Sequence, residues 1–223
     1  MLKKRLIALV ALTVLGLASP DDVLAKKKSK ASGALDDGKI DASWFGGEHE
    51  WRETDEIDYL WVSEGFELDG KSFHFVDWEE HTFLGEDADK RDENDHRMAR
   101  QLTGEMPDSF SRAFGREFGD RASTSTESGD IEVVGRIVDC STGSTVAKAL
   151  VGFGAGSGNT TMDVKFVDKA SGRVVAAFHH RVVSGSTWST TDSKLFNWMG
   201  DAAEEIADKG FQRLYEKGDR VKD

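Results

Sequence analysis

The sequence predicts an α/β fold of the two-layer kind, a mostly antiparallel sheet of about four to five strands with helices packed on it. Three observations carry this. Residues 161–183 hold two alternating stretches joined by a turn that contains Gly172, the pattern of a β-hairpin. Phe196, Met199, Ala203, Ile206, Ala207, Gly210 and Leu214 fall in one stripe roughly 100° wide at helical spacing. Met98, Leu102, Met106, Phe110, Phe114 and Phe118 recur every four residues.

The elements follow in chain order. Tyr59–Ser63 combines aromatic and branched residues and reads as a first strand. Asp69-Gly70 is a turn signal, and Ser72–Trp78 a second strand with two alternating faces. Asp92 can cap a helix beginning near Glu93. A spacing of four drifts around a 3.6-residue helix, and Gly104 and Pro107 lie in the middle of the run. A kinked helix or two short ones over 93–118 is the expectation. Residues 120–129 form a loop. Ile131–Val138 is apolar on both faces, which predicts a central strand covered at least in part on both sides. A glycine-rich crossing, Gly152 to Gly158, leads into the strand Thr161–Val167. Asp168–Gly172 turns the chain, and Val174–Val183 returns. The closing helix spans 194–216, with Asp192 or Ser193 as its cap. Asp201, Glu205 and Asp208 face away from its apolar stripe, and Trp198 sits on the polar side.

Domain organisation follows from composition. Residues 1–25 read as a signal peptide. Lys3, Lys4 and Arg5 form the positive end, and Leu6–Ala18 is an apolar run of 13 residues. A spanning helix needs about 20 residues, so an uncleaved anchor is the weaker alternative. Cleavage fits after Ala25 or after Ala18. Residues 26–58 are expected as a flexible N-terminal linker, with Trp44, Phe45 and Trp51 scattered among acids without a period. Residues 59–216 form a single α/β domain, and 217–223 a C-terminal tail. The expected location is exported, periplasmic or extracellular.

The net charge of −12 opposes nucleic acid phosphates and anionic lipid over most of the surface. Nucleic acid is therefore not an expected partner. Membrane contact is expected only through an uncleaved signal or the basic group Lys26, Lys27, Lys28 and Lys30, which reads first as a solubilising tail. Cys140 is the single cysteine, so no intrachain disulfide can form. It reads as a small buried hydrophobe, with an intermolecular disulfide as the alternative.

No motif assigns chemistry. The run Gly152-Phe153-Gly154-Ala155-Gly156-Ser157-Gly158 matches neither dinucleotide nor phosphate-loop spacing and feeds a strand. It reads as a corner where side chains would collide. His49, His74, His81, His96, His179 and His180 make no zinc-protease pattern. His179 and His180 are adjacent in a strand and point to opposite faces. His74 could join one of them from a neighbouring strand, and His49 is expected in solvent. Asp87, Asp89, Asp92, Glu93 and Asp95 lack the glycine and final glutamate of a calcium loop. No serine lies in a nucleophile elbow. Trp61 and Trp78 are expected in the core. Trp44, Trp51, Trp188 and Trp198 sit in weakly patterned positions, fit for packing under loops or for an interface. No catalytic, cofactor-binding or metal-binding residue is assigned.

From about Tyr59 to Leu214 the chain resembles an uncharacterised family of exported bacterial proteins, domain of unknown function 4410. The features that carry this come in order. A strand ends before Gly143-Ser144, followed by Ala147-Lys148-Ala149-Leu150 and Val151-Gly152-Phe153-Gly154-Ala155-Gly156. A further strand ends in Asp168 with Gly172 in the turn, and an amphipathic helix closes the domain. Lys148 stands where the family places a basic residue. The resemblance implies a small α/β domain of the bacterial envelope and brings no catalytic residues. Many members resemble lipoproteins, and this chain has no lipid-attachment cysteine, which leaves membrane anchoring without support.

The function expected is an exported, non-enzymatic envelope accessory that binds another envelope protein through an edge strand or an aromatic patch. The alternative is a secreted hydrolase with an unrecognised site around His179 or His180.

Overall fold

The computed structural model describes residues 38–143, 158–183 and 191–221. The glycine-rich run, Lys148, Trp188 and the expected signal peptide lie outside the described residues. The architecture is α/β, with one sheet of eight strands and three helices among the described residues. The strands are β1 (Arg52–Glu53), β2 (Tyr59–Val62), β3 (Ser72–Phe75), β4 (Ser123–Ser125), β5 (Ile131–Ser141), β6 (Asn159–Asp168), β7 (Arg173–Val183) and β8 (Asp219–Arg220). The helices are α1 (Glu93–Phe118), α2 (Thr191–Lys209) and α3 (Phe211–Lys217).

The sheet order is β4-β3-β5-β6-β7-β2-β1-β8. β3 runs parallel to β4 and β5, and the other neighbours pair antiparallel. The expectation of four to five strands is thus corrected to eight. All five expected strands are present. The three extra ones, β1, β4 and β8, have only two or three residues, too few to show a period. They pair because tertiary contact brings them to an edge.

The β6–β7 hairpin forms as the turn residues dictate. Gly172 adopts φ 67°, and the Ser171 N–H and hydroxyl both donate to Asp168 Oδ1. β3 extends beyond Phe75 as an irregular ladder along β5. The N–H groups of Val76, Glu79, Thr82 and Leu84 donate to carbonyls of Val133, Gly135, Ile137 and Val138. The Trp78 ring crosses β5 at Gly135, where a Cβ would overlap the indole carbons. Only glycine permits that approach.

α1 is one continuous helix, not the two short ones offered as one of the expectations. Asp92 caps it with a reciprocal box, its side chain accepting from Asp95 N–H while Asp95 accepts from Asp92 N–H. Pro107 lies inside and is buried. Leu102, Met106, Phe110, Phe114 and Phe118 are all buried despite their angular drift. The drift is tolerated because α1 packs against the sheet on one side and α2 on another, so its buried arc is wide.

The expected single helix over 194–216 is two helices. α2 starts at Thr191, and Gly210 (φ 74°) separates it from α3. The buried stripe is also rotated from the expected one. Leu195, Trp198, Met199, Ala202, Ala203 and Ile206 are buried, while Phe196 is half-buried. Trp198 and Glu205, both expected to face solvent, point inward.

Helices cover one face of the sheet. Its core is aromatic: Phe73, Phe110, Phe114, Phe118, Phe166, Phe178, Trp198 and Phe211 stand in continuous ring contact. The opposite face is covered by residues 39–51, here called the strap. Phe45 and Trp51 are buried there against Tyr59 and Ala177. Residues 38–58 fall within the stretch expected as a flexible linker, yet they carry β1 and this second core. Likewise, Asp219 and Arg220 of the expected tail form β8 against β1.

Candidate functional site

Two histidine–aspartate pairs stand back to back on β7. Adjacent strand residues point to opposite faces, so His179 lies on the strap face and His180 on the helix face. His179 Nδ1 is 2.6 Å from Asp163 Oδ1 on β6, directly opposite in register. Asp163 Oδ2 accepts two hydrogen bonds from Arg136 on β5, at 3.0 and 2.8 Å. His179 and Asp163 are both 0% exposed, and Arg136 only 6%. Tyr59 meets the His179 ring edge-on at 5.6 Å between centroids.

The strap closes over this row by charge and aromatic contact. Lys39 reaches Asp139 at 3.3 Å, and Arg91 grips the same carboxylate with two hydrogen bonds. Asp41 lies 3.5 Å from Arg136. The Trp44 ring stands 4.4 Å from the Arg136 guanidinium and 3.9 Å from the Lys165 ammonium. Trp44 also donates its indole N–H to Glu79 at 2.8 Å, and its carbonyl accepts from Lys165. Burial holds the Lys165 ammonium below its usual pKa, with Glu79 opposing the shift and Arg136 adding to it.

On the helix face, His180 stacks on Trp198 at 4.2 Å with planes 14° apart. Its Nδ1 lies 3.1 Å from Asp58 Oδ2. Burial would raise the Asp58 pKa, but the His180 hydrogen bond and charge and the Arg181 N–H together lower it. Trp198 donates to the Glu56 carbonyl.

The remaining sequence candidates disperse. His74 is on β3, separated from β7 by β5 and β6, so it joins neither pair. His49, expected in solvent, is half-buried, stacks on Trp61 at 3.8 Å and contacts the Phe45 carbonyl. Burial lowers its pKa, against the Phe45 carbonyl. His81 and His96 pair at 2.9 Å beside Phe83. Cys140 is buried on the helix face, and burial pushes its thiol up to about 12 against a weak contact from Thr160. Asp92 and Asp95 of the acidic run serve the α1 cap, and Asp95 also accepts from Thr142 N–H and hydroxyl. Among the described residues, no group of three or more His, Cys, Asp or Glu side chains is placed to hold a metal ion. No described helix is long and apolar enough to cross a membrane.

The tryptophans do not form an exposed patch among the described residues. Trp51, Trp78 and Trp198 are buried, and Trp44 and Trp61 half-buried. Sequence reasoning missed Arg136 and Asp163, because charges in an alternating strand read as its solvent side. Uniform pairing outward from the Gly172 turn would have set Asp163 opposite Phe178; the register shift between Phe166 and Val167 brings it opposite His179.

One surface cleft is strongly acidic. Asp55, Glu56, Asp201, Glu204, Glu205 and Asp208 line a volume of about 430 Å³ together with the basic Lys209. A smaller cavity of about 110 Å³ adjoins it and shares Asp55, Glu205 and Lys209.

Comparison with known proteins gives the affiliation. No curated protein matches the chain. Two solved structures of a PelC dodecamer from Paraburkholderia phytofirmans are similar. One, of a point variant, has 9% identity and a TM-score of 0.40, over 66% of this chain and 94% of that one. The other has 12% identity and a TM-score of 0.42, over 65% and 96%. Protein XCC0632 from Xanthomonas campestris is similar at 14% identity and a TM-score of 0.33, over 50% and 62%. The family model described as "Domain of unknown function (DUF4410)" matches residues 61–187. That stretch is more than half of the chain and runs from β2 to the end of β7 and beyond, and the protein belongs to this family.

Proposed function

We propose that the protein is an exported, non-enzymatic accessory that binds another envelope protein through surface contacts. The observation that carries this reading is the placement of His179. The imidazole is 0% exposed, and its aspartate partner is already held by Arg136. A general base must come within hydrogen-bond reach of its substrate. Here the pair joins three strands under the strap and serves the fold.

A hydrolase remains the second reading, because a 2.6 Å histidine–aspartate contact is the arrangement that orients a catalytic imidazole. The nearby Thr161 hydroxyl on the same face is itself buried and without a hydrogen-bond partner. The mode of binding is narrowed by the surface. Among the described residues the tryptophans are buried or half-buried, and the sheet edges β4 and β8 offer templates of only three and two residues. Side-chain complementarity is favoured over strand addition.

Photo-crosslinking residues placed at Thr124, Glu105 and Asp208 in exporting cells test the reading. A discrete adduct with one envelope protein, formed from one of these surfaces only, is expected. Ester or peptide turnover by the purified chain that Asp163→Asn abolishes, with the fold intact, would replace it with the hydrolase.

A further inference from the structure

We propose that His81 and His96 form a two-imidazole site for a divalent ion of square-planar preference, copper(II) first. The inference goes beyond the accessory reading and rests on a different part of the molecule. His81 Nε2 lies 2.9 Å from His96 Nδ1, with ring centroids 5.2 Å apart. The two rings meet nitrogen to nitrogen from separate elements, and both are half-buried. Each backbone is fixed. The N–H groups of Glu79 and Thr82 bond to β5 on either side of His81. His96 stands in the first turn of α1, where Asp92 and Asp95 close the cap and the His96 N–H donates to the Asp92 carbonyl. Phe83 supports both rings, its centroid 5.2 Å from His81 and 4.6 Å from His96. Phe83 itself packs on the core of the helix face. Ligands held this way lose little freedom when an ion enters.

The neutral imidazole is the ligating form of histidine. His81 Nδ1 is buried without a hydrogen-bond partner, so Nε2 is the nitrogen this ring can present. The metal-free pair holds one N–H in the contact. When an ion enters, that ring carries its proton on its far nitrogen instead, and both near lone pairs turn to the ion. No net proton or electron is exchanged. The class of ion follows from the span. Nitrogens bound at about 2.0–2.1 Å lie about 2.9 Å apart at neighbouring corners of a square, and about 3.3 Å apart on a tetrahedron. The observed 2.9 Å fits the square, the geometry of copper(II) and nickel(II), and copper(II) binds nitrogen donors more tightly. Two protein ligands leave the site open, since no third His, Cys, Asp or Glu completes it among the described residues. Water takes the other corners. Glu80 acts on the His81 side and Glu93 on the His96 side, and their charge favours a cation. The opposing cation, Arg100, is held by Glu93 at 2.7 Å.

Copper(II) titration of the purified, untagged full chain, freed of metal with a chelator, tests this by calorimetry and pulsed electron paramagnetic resonance. Saturable binding of one ion is expected, with two imidazole nitrogens coupled to the copper. His81→Asn and His96→Asn should each weaken it roughly tenfold or more, since even the loss of a group behind a ligand costs about 10–100-fold. His49→Asn should leave it unchanged. The site exists only where the β3 extension meets α1, so copper should raise the urea midpoint of the native chain and of His49→Asn. It should not raise that of His81→Asn or His96→Asn. Those midpoints, read first without metal, show that each variant is folded. Magnesium should not compete. No saturable binding, a spectrum with fewer than two imidazoles, or affinity undiminished in both His81→Asn and His96→Asn would overturn the proposal. Zinc that displaces copper at equal concentration would overturn the square-planar assignment.

Discussion

The two faces of the sheet are closed by different physics. The helix face is sealed by rings: Phe110, Phe114, Phe166, Phe178 and Phe211 are each at most 1% exposed and touch one another. The strap face is sealed by a buried polar row, Arg136, Asp163 and His179, beside the Phe45–Trp51 cluster, with Trp44 laid over two cations. Apolar burial is non-directional and scales with the area removed from water. A buried ion pair is directional, and its net worth is set by desolvation against geometry. The helix face therefore supplies stability, and the strap face supplies a unique seat for residues 39–51.

Truncation should expose this difference most strongly. Phe110→Ala should cost about 3–5 kcal/mol as a core cavity, read from urea unfolding. Asp163→Ala should cost about 3–5 kcal/mol too, because it strands Arg136 and His179. The rescue separates the faces. Replacing Arg136, Asp163 and His179 together by Met, Leu and Leu should recover most of the loss, since removing all partners can be neutral or stabilising by about 1–4 kcal/mol. A triple variant no more stable than Asp163→Ala would show that the charges contribute more than seating. Gly135→Ala comes next. Its Cβ would collide with the Trp78 ring, and overpacking should cost about 1–3 kcal/mol in thermal unfolding. Asp92→Ala removes the α1 cap at about 1 kcal/mol. Loss of amide protection confined to the first turn of α1 would mark it.

The smallest effect is a pH dependence outside both faces. His81 lies between the β5 ladder and α1, facing His96 and Arg100, with Glu80 opposing their charge. Burial first, then the His96 and Arg100 side chains, lower its pKa below 6.5. The folded state therefore binds fewer protons than the unfolded one. Stability should be lost as pH falls below about 6.5 and level off below the folded pKa. His49, also lowered, adds in the same sense. A urea midpoint that falls between neutral and mildly acid pH, less so in His81→Asn, is the expected outcome.

Much of the helix face was legible in the sequence, because periodicity reports apolar burial. The strands over 59–63, 131–138, 161–167 and 174–183 and the α1 run were found for that reason. The strap face was not. Asp163 and Lys165 alternate with Met162, Val164 and Phe166, a pattern that normally means solvent on the polar side. The covering segment, with Trp44, Phe45 and Trp51, is irregular and leaves no period of its own. Glu205 was misread likewise, because a helix packed on two neighbours buries a wider arc than one stripe. The two-residue strands β1 and β8 carry no local signal at all.

The strap face is shut in the native state, with His179 and Asp163 both 0% exposed beneath it. Modification by diethyl pyrocarbonate, mapped histidine by histidine across a denaturant series, tests this most directly. His179 should stay unmodified until the whole chain unfolds, because its opening would have to be global. Modification of His179 in native buffer at the rate seen for the unfolded chain would contradict the account and return the Asp163–His179 pair to the list of catalytic candidates.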